Sequence, residues 1–301
     1  MFLIALVLVG WACKNRHYPE VIVTFDDAGV EPREDGSVSR GKEKLRISVS
    51  AMQSPQNTFA AYSPLIERLG ALLDVEVELV QRRTYGEIND LLSAGGVAMA
   101  FVCTGSYLDL ERRTPGAVEL AAIPVIGGKL TYQSLIIVPN RSTSRRVEDL
   151  EGKRFAFTDR LSLTGRAYPT HYLKLIGKSP ESFFASVILT HSHDRSIHAV
   201  AAGMVDGAAV DSLIYDYLVH DDVALAREVR VIHRSPDFGM PPVVISASLG
   251  AARKAKIRAV LLTLDRDHDA APALRALHID RFVAPPAGLY TTAAEVMAGD
   301  E

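Results

Sequence analysis

Five short apolar runs in this sequence end in a turn bearing a hydroxyl, a glycine or a carboxylate, and each passes straight into a helical pattern. The turns fall at residues 50–54, 102–107, 158–165, 190–194 and 210–212. This repeated unit limits the fold more than any other feature, because alternating strands and helices build an α/β protein with mainly parallel sheets. In such sheets ligands bind beyond the carboxyl ends of the strands. The most developed copy is KRFAFTDRLSLTGRAYP at residues 153–169. Residues 154–158 read as a buried strand, 159–165 as a turn, and 167–176 as a helix with Pro169 in its first turn. The free N–H groups of that first turn point outward, the helix dipole favours negative charge, and Ser162 and Thr164 add rotatable donors. A single such turn is an ordinary helix cap; five suggest helix beginnings that converge on one cleft.

The rest of the chain is read around these junctions. Strands are expected at residues 46–50, 75–80, 97–102, 118–124, 132–138, 183–189, 208–210, 229–232 and 242–246. Helices are expected from Ser54-Pro55 onward, over 85–92, after Cys103, over 194–202, from Ser212, over 251–264 and near 271–277. Tyr85 can line the cleft or pack in a core; the pattern allows both.

The chain has 301 residues, enough for two lobes of ordinary size. A formal net charge of −3 offers no basic field, which argues against a nucleic-acid partner. An anion would have to be held by local dipoles and hydroxyls. Cys13 and Cys103 are the only cysteines and form no disulfide framework. Residues 1–12 are apolar but shorter than the ~20 residues of a spanning helix. They suit the apolar region of an export signal. Gly10-Trp11-Ala12-Cys13 loosely resembles a lipoprotein cleavage box, so Cys13 is the candidate lipidation site. The expected organisation is a signal at 1–13 and a tether with an edge strand at 14–44. The protein is therefore expected in the periplasm or cell envelope, touching a membrane only through its N-terminus.

The motifs SPQNTFAAYSPL, TYGEIN, AFVCTGSY, DLEGKRFAFTDRLSLTG and THSHDRSIHAVAAGMVDGAAVDSLIYD together resemble those of the extracytoplasmic binding proteins for phosphate, phosphite and phosphonate in ABC transporters. The resemblance covers about residues 45–283. It implies a two-lobed, type II periplasmic binding fold, hinge-linked by two crossover strands near residues 130–139 and 241–246. Lobe one would be 45–131 plus 244–283, lobe two 139–240, and 284–301 a C-terminal tail. It implies that Ser162, Thr164 and Gly165 form the oxyanion loop and that Thr104, Gly105 and Tyr107 face it from lobe one. His193 and Asp194 match a Ser-His-Asp element, Asp211 an acidic residue after the last lobe-two strand, and Ser54 opens the first helix. No cofactor and no catalysis are implied, and the protein is expected to be a monomer. The partner would be an ABC permease. Arg160 and Arg166 depart from the usual pattern and add positive charge near the cleft.

Cys103 is the other departure. A similar cysteine occurs in a branch that includes periplasmic arsenite-binding sensors, which would make the partner a sensor kinase. A thiol at a helix N-terminus can have a lowered pKa and suits soft centres, but it can equally be a small buried hydrophobe. A cysteine hydrolase using Cys103 and His193 is set aside, since the family is non-catalytic. His191, His193, Asp194 and His198 lack the His-Glu-x-x-His spacing, so no metal site is expected.

Overall fold

The computed structural model describes residues 43–299; the expectations about Cys13, the signal and most of the tether lie outside them. The chain runs β1 (Lys44–Val49), α1 (Pro55–Leu73), β2 (Glu76–Val80), α2 (Tyr85–Ser93), β3 (Met99–Phe101), α3 (Thr104–Arg113) and β4 (Val118–Val125), then through β5 (Thr131–Tyr132) to β6 (Ser134–Pro139). Next come β7 (Arg154–Phe157), a π-helical turn (Leu163–Ala167), α4 (Tyr168–Leu175), α5 (Pro180–Phe183), β8 (Ser186–Leu189), α6 (His193–Ala201), β9 (Gly207–Asp211), α7 (Ser212–Asp221), α8 (Val223–Glu228) and β10 (Val229–Arg234). The chain returns through β11 (Phe238–Gly239) to β12 (Val243–Ser246) and ends with α9 (Ala251–Thr263), α10 (Ala271–Ala276), β13 (Arg281–Val283) and α11 (Thr291–Ala298).

These elements form a six-stranded sheet, β13-β4-β12-β3-β1-β2, and a five-stranded one, β10-β6-β9-β7-β8. Each is the centre of one lobe. Helix α1 explains the first core: Leu65, Ile66, Leu69 and Leu73 recur at helical spacing and lie buried with Ile47 and Met99 of the sheet. Burying each such leucine contributes about 1.5–3 kcal/mol. Ile88, Leu92 and Leu110 cover the other face. In lobe two, Ile197 and Val200 of α6 pack on one face, while Phe155, Phe183 and Phe184 fill the other.

Parallel pairing is confined to β2-β1-β3 and β9-β7-β8. The expectation of mainly parallel sheets is thereby corrected: β12, β4, β13, β6 and β10 pair antiparallel. The physical reason is the crossing. A strand that brings the chain into or back from the other lobe runs against its neighbours. The strand expected over 132–138 is likewise broken at Gln133. Tyr132 pairs with Phe238 in a separate two-stranded ribbon, and Ser134 begins the lobe-two sheet. Gln133 sits at the break, its backbone N–H donating to Ser212 Oγ and its side chain to the Ser235 carbonyl, both at 3.0 Å. The ribbon is the hinge. Part of the strand expected over 183–189 is instead α5, because Ser179 caps a turn started by Pro180.

The segment expected to be a tail contains α11. It packs on α3 in lobe one and on the π-helical turn and α4 in lobe two, with Ala293 and Val296 buried against Leu163 and Ala167. Tyr290 Oη donates to the Met240 carbonyl beside the hinge at 2.9 Å. Lys174 Nζ of α4 donates to the carbonyl of Gly299 at 3.0 Å.

Candidate functional site

The lobes meet where the strand-to-helix junctions face each other. Gly105 of α3 approaches the lobe-two loop so closely that a Cβ there would lie 2.3 Å from the Leu161 carbonyl oxygen and 2.7 Å from the Leu163 nitrogen. Only glycine fits. Gly165 is packed as tightly, with Thr158 Oγ1 2.4 Å from its notional Cβ. The arrangement is a closed clamp.

Part of the closure is carried by helix caps exchanged between lobes. Asp194, in the first turn of α6, accepts from the Ser54 backbone N–H at 2.9 Å and from Asn57 Nδ2 at 3.0 Å, at the start of α1. Asp159 accepts from the Tyr85 N–H, at the start of α2, at 3.3 Å. The His193 N–H donates to the Met52 carbonyl at 2.9 Å. Burial works to raise the Asp194 pKa, but its hydrogen bonds, those from Ser54 and Arg195 among them, outweigh burial and hold it below the usual range. For Asp159 burial wins over the bonds from Leu161 and Tyr85, and its pKa is raised. Ser54 and Asp194, expected as separate ligand contacts, are therefore partners of each other.

Behind these caps lies a group of buried polar side chains, a candidate pocket. Ser50 Oγ, Tyr85 Oη, Tyr132 Oη, Thr164 Oγ1 and His193 Nε2 are buried without a hydrogen-bond partner among the described residues. Such groups cost about 1–3 kcal/mol each when unpaired, so their grouping is significant. Ser50 and Tyr85 come from lobe one, Tyr132 from the hinge, and Thr164 and His193 from lobe two. Asp211 and Cys103 lie within the group, since both act electrostatically on Tyr85 and Tyr132. His193 is anchored through its other nitrogen. The Asp211 backbone N–H donates to Nδ1 at 3.1 Å, so the ring proton sits on Nε2 and is offered to the pocket. Burial pushes the His193 pKa down to about 3, keeping the ring neutral.

Asp211 caps α7, its Oδ1 accepting from the Leu213 N–H at 2.6 Å and the Ile214 N–H at 3.2 Å. Burial pushes its pKa up to about 7, against the lowering effect of those two bonds. Oδ2 is thus an acceptor when ionised and a donor when protonated, with the change near neutral pH. Cys103 follows β3 at the start of α3. Burial pushes its thiol up to about 11, although the N–H groups of Leu163, Gly105 and Ser106 work to lower it. The expected lowering of this pKa is corrected: loss of water outweighs the helix terminus.

Other expected site residues make contacts within the frame. Ser162 Oγ accepts from the Gly165 N–H at 2.9 Å and caps the π-helical turn. Thr104 Oγ1 donates to the Gly239 carbonyl on the hinge at 2.9 Å. The Tyr107 ring meets Tyr290 at 5.2 Å, on the α11 side of α3. Arg160 is exposed, and Arg166 Nη1 donates to its carbonyl at 3.0 Å. Sequence reasoning missed Ser50 and Tyr132 and left Tyr85 open. Ser50 had a signal, since it ends the first strand at one of the five junctions. Among the described residues no group of three His, Cys, Asp or Glu side chains could hold a metal ion. The pocket offers neutral donors and one titratable carboxyl, which suits a small oxyanion that keeps a proton.

A family model described as the periplasmic substrate-binding protein of phosphonate ABC transporters matches residues 47–290. The chain is 29% identical over 185 residues to a phosphate-import protein of Mycolicibacterium smegmatis, covering 57% of this chain and 56% of that one. It is 25% identical over 220 residues to the phosphonates-binding periplasmic protein of Escherichia coli K12, covering 72% of this chain and 64% of that one. Both matches span less than two thirds of the relative. Among solved structures, the binding component of a Pseudomonas aeruginosa phosphonate transporter superposes with a TM-score of 0.80 at 21% identity, over 86% of this chain and 87% of the other. A Prochlorococcus marinus protein in complex with methylphosphonate gives 0.77 at 18% identity, over 84% and 97%.

Proposed function

Because the chain belongs to the family of periplasmic substrate-binding proteins of phosphonate ABC transporters, we propose that it closes on a small phosphorus oxyanion between its lobes and delivers it to an ABC permease. The observation that carries this reading is the set of buried, unpartnered donors drawn from both lobes and the hinge. Thr164 Oγ1, His193 Nε2, Tyr85 Oη and Tyr132 Oη donate to the oxyanion oxygens, and Asp211 accepts a hydrogen bond from a P–OH group. Neutral donors in a dry pocket bind an anion strongly because they are already oriented. Closure removes water from those bonds.

Calorimetric titration with methylphosphonate, phosphite and phosphate tests this. Thr164→Val keeps the side-chain shape and removes the hydroxyl. It should weaken binding by roughly tenfold or more, as expected for one buried hydrogen bond to an anion. Unchanged affinity for all three ligands would remove the pocket assignment.

A second reading is an arsenite-type sensor that binds through Cys103 and acts on a sensor kinase. The position of Cys103 beside Tyr85, Tyr132 and Asp211 favours it. The raised thiol pKa ranks it second, since the thiolate is the soft ligand.

A further inference from the structure

The geometry points to a side chamber of the oxyanion pocket that holds an apolar substituent, so that the preferred ligand is an alkyl- or arylphosphonate larger than methylphosphonate. This inference rests on the oxyanion reading above and names its substrate class. The chamber has a cavity volume of about 140 Å³ and lies between α1, α7 and the segment leading into β13. Its walls include Tyr62, Phe101 and Ile279 from lobe one and Ile214 and Tyr217 from lobe two. Closure therefore shapes it. A largely apolar cleft of this size has room for a small alkyl or aryl group.

Two features join the chamber to the pocket. Ser50 and Asp211 line it; Ser50 is one of the unpartnered groups described above and Asp211 is the carboxyl beside them. A phosphonate seated on Thr164 and His193 can thus send its carbon substituent past Asp211 into the chamber. The tetrahedral head and the substituent then use different walls. Inorganic phosphate would leave the apolar side unfilled.

The chamber is unsuited to an ammonium substituent. Its second carboxyl, Asp216, is at an exposed position, with Arg234 and Lys129 close enough to act on it. Those two cations offset its charge. Asp211 is needed by the P–OH group.

The test is a calorimetric series on the purified protein with phosphate and with methyl-, propyl-, phenyl- and 2-aminoethylphosphonate. Affinity should rise by about fourfold per buried methylene, or ~15-fold from methyl to propyl. Phenylphosphonate should bind at least as well as propyl, and the aminoethyl compound less tightly than propyl. In Ala61→Phe, whose ring would occupy the chamber that Ala61 lines, the propyl-to-methyl ratio should fall to one or below. Methylphosphonate binding with a flat or falling series would overturn the chamber and leave the oxyanion pocket standing. Tightest binding by the aminoethyl compound would also overturn it. Failure of every phosphonate to bind would remove the oxyanion reading and the chamber with it.

Discussion

Replacing Asp211 by asparagine should change the pH dependence of stability in a way that its burial dictates. Burial pushes the folded carboxyl up to about 7 from its ordinary 3.8, a gap of about 3 units, or roughly 4 kcal/mol at ~1.4 kcal/mol per unit. Between pH about 4 and 7 the folded protein holds a proton that the unfolded chain has released. This contribution is complete below pH about 4 and is lost as pH rises through 7. His193 works in the other direction. Its folded pKa of about 3 lies below the ordinary 6.5, so its contribution is present above 6.5 and lost as pH falls toward 3. The slopes of these two groups oppose between pH about 4 and 6.5, and above that His193 no longer offsets the Asp211 loss. In Asp211→Asn the Asp211 loss is removed while the other groups titrate as before, so stability relative to the native protein rises across the same interval. Asparagine keeps the α7 cap, so the fold is retained. The variant should gain on the native protein by up to roughly 4 kcal/mol between pH 4 and 8, or about 8–16 °C in melting temperature. Calorimetric melts in phosphate-free buffer at half-unit steps would measure it. Parallel curves for the two proteins over pH 4–8 would refute the reasoning.

Three further outcomes are expected. Gly105→Ala places a methyl against two backbone atoms of the facing lobe; X-ray scattering in saturating methylphosphonate should report a wider molecule, and affinity should drop at least tenfold. The same scattering curve as the native protein would show that the loops can yield. Asp194→Ala strips the acceptor from Ser54 N–H and Asn57. Affinity should fall by roughly 10- to 100-fold, as for lost bonds to a charged group, and by the same factor for phosphate and methylphosphonate; a ligand-dependent factor would mean direct contact. Cys103→Ser should leave phosphonate affinity within about threefold, since a thiol adds little to an oxyanion pocket. Retention of any measured arsenite affinity in that variant would remove the sensor reading.

The sequence carried much of the fold because strand and helix periods are local. Residues 44–113 alternate cleanly, and the junctions at Ser50, Cys103, Thr158, Ser192 and Asp211 all lie at strand ends or helix starts. What it could not show was which turn faces which. Ser54 and Asp194 are 140 positions apart, yet the Asp194 carboxylate caps the helix that Ser54 opens. From the sequence each looked like half of a ligand site. Tyr132 and Tyr85 were obscure for another reason: a tyrosine in an apolar run looks the same whether its hydroxyl ends in a core or in a pocket. The break at Gln133 was hidden because hinge residues keep strand-like composition. Helix α11 escaped because it is short and presents little besides Ala293 and Val296 to bury.

The exchanged caps have a consequence for economy of transport. Asp194 and Asp159 give two lobe-one helices an acceptor supplied by lobe two, so shutting is rewarded by bonds that involve no cargo. If the protein works as proposed, these bonds would hold a fraction of the unloaded copies shut. A permease that reads only the shut outline would be triggered by unloaded copies, spending nucleotide without moving solute. The strength of these two caps therefore sets an idling rate, and weakening either would trade capture at scarce supply for less waste.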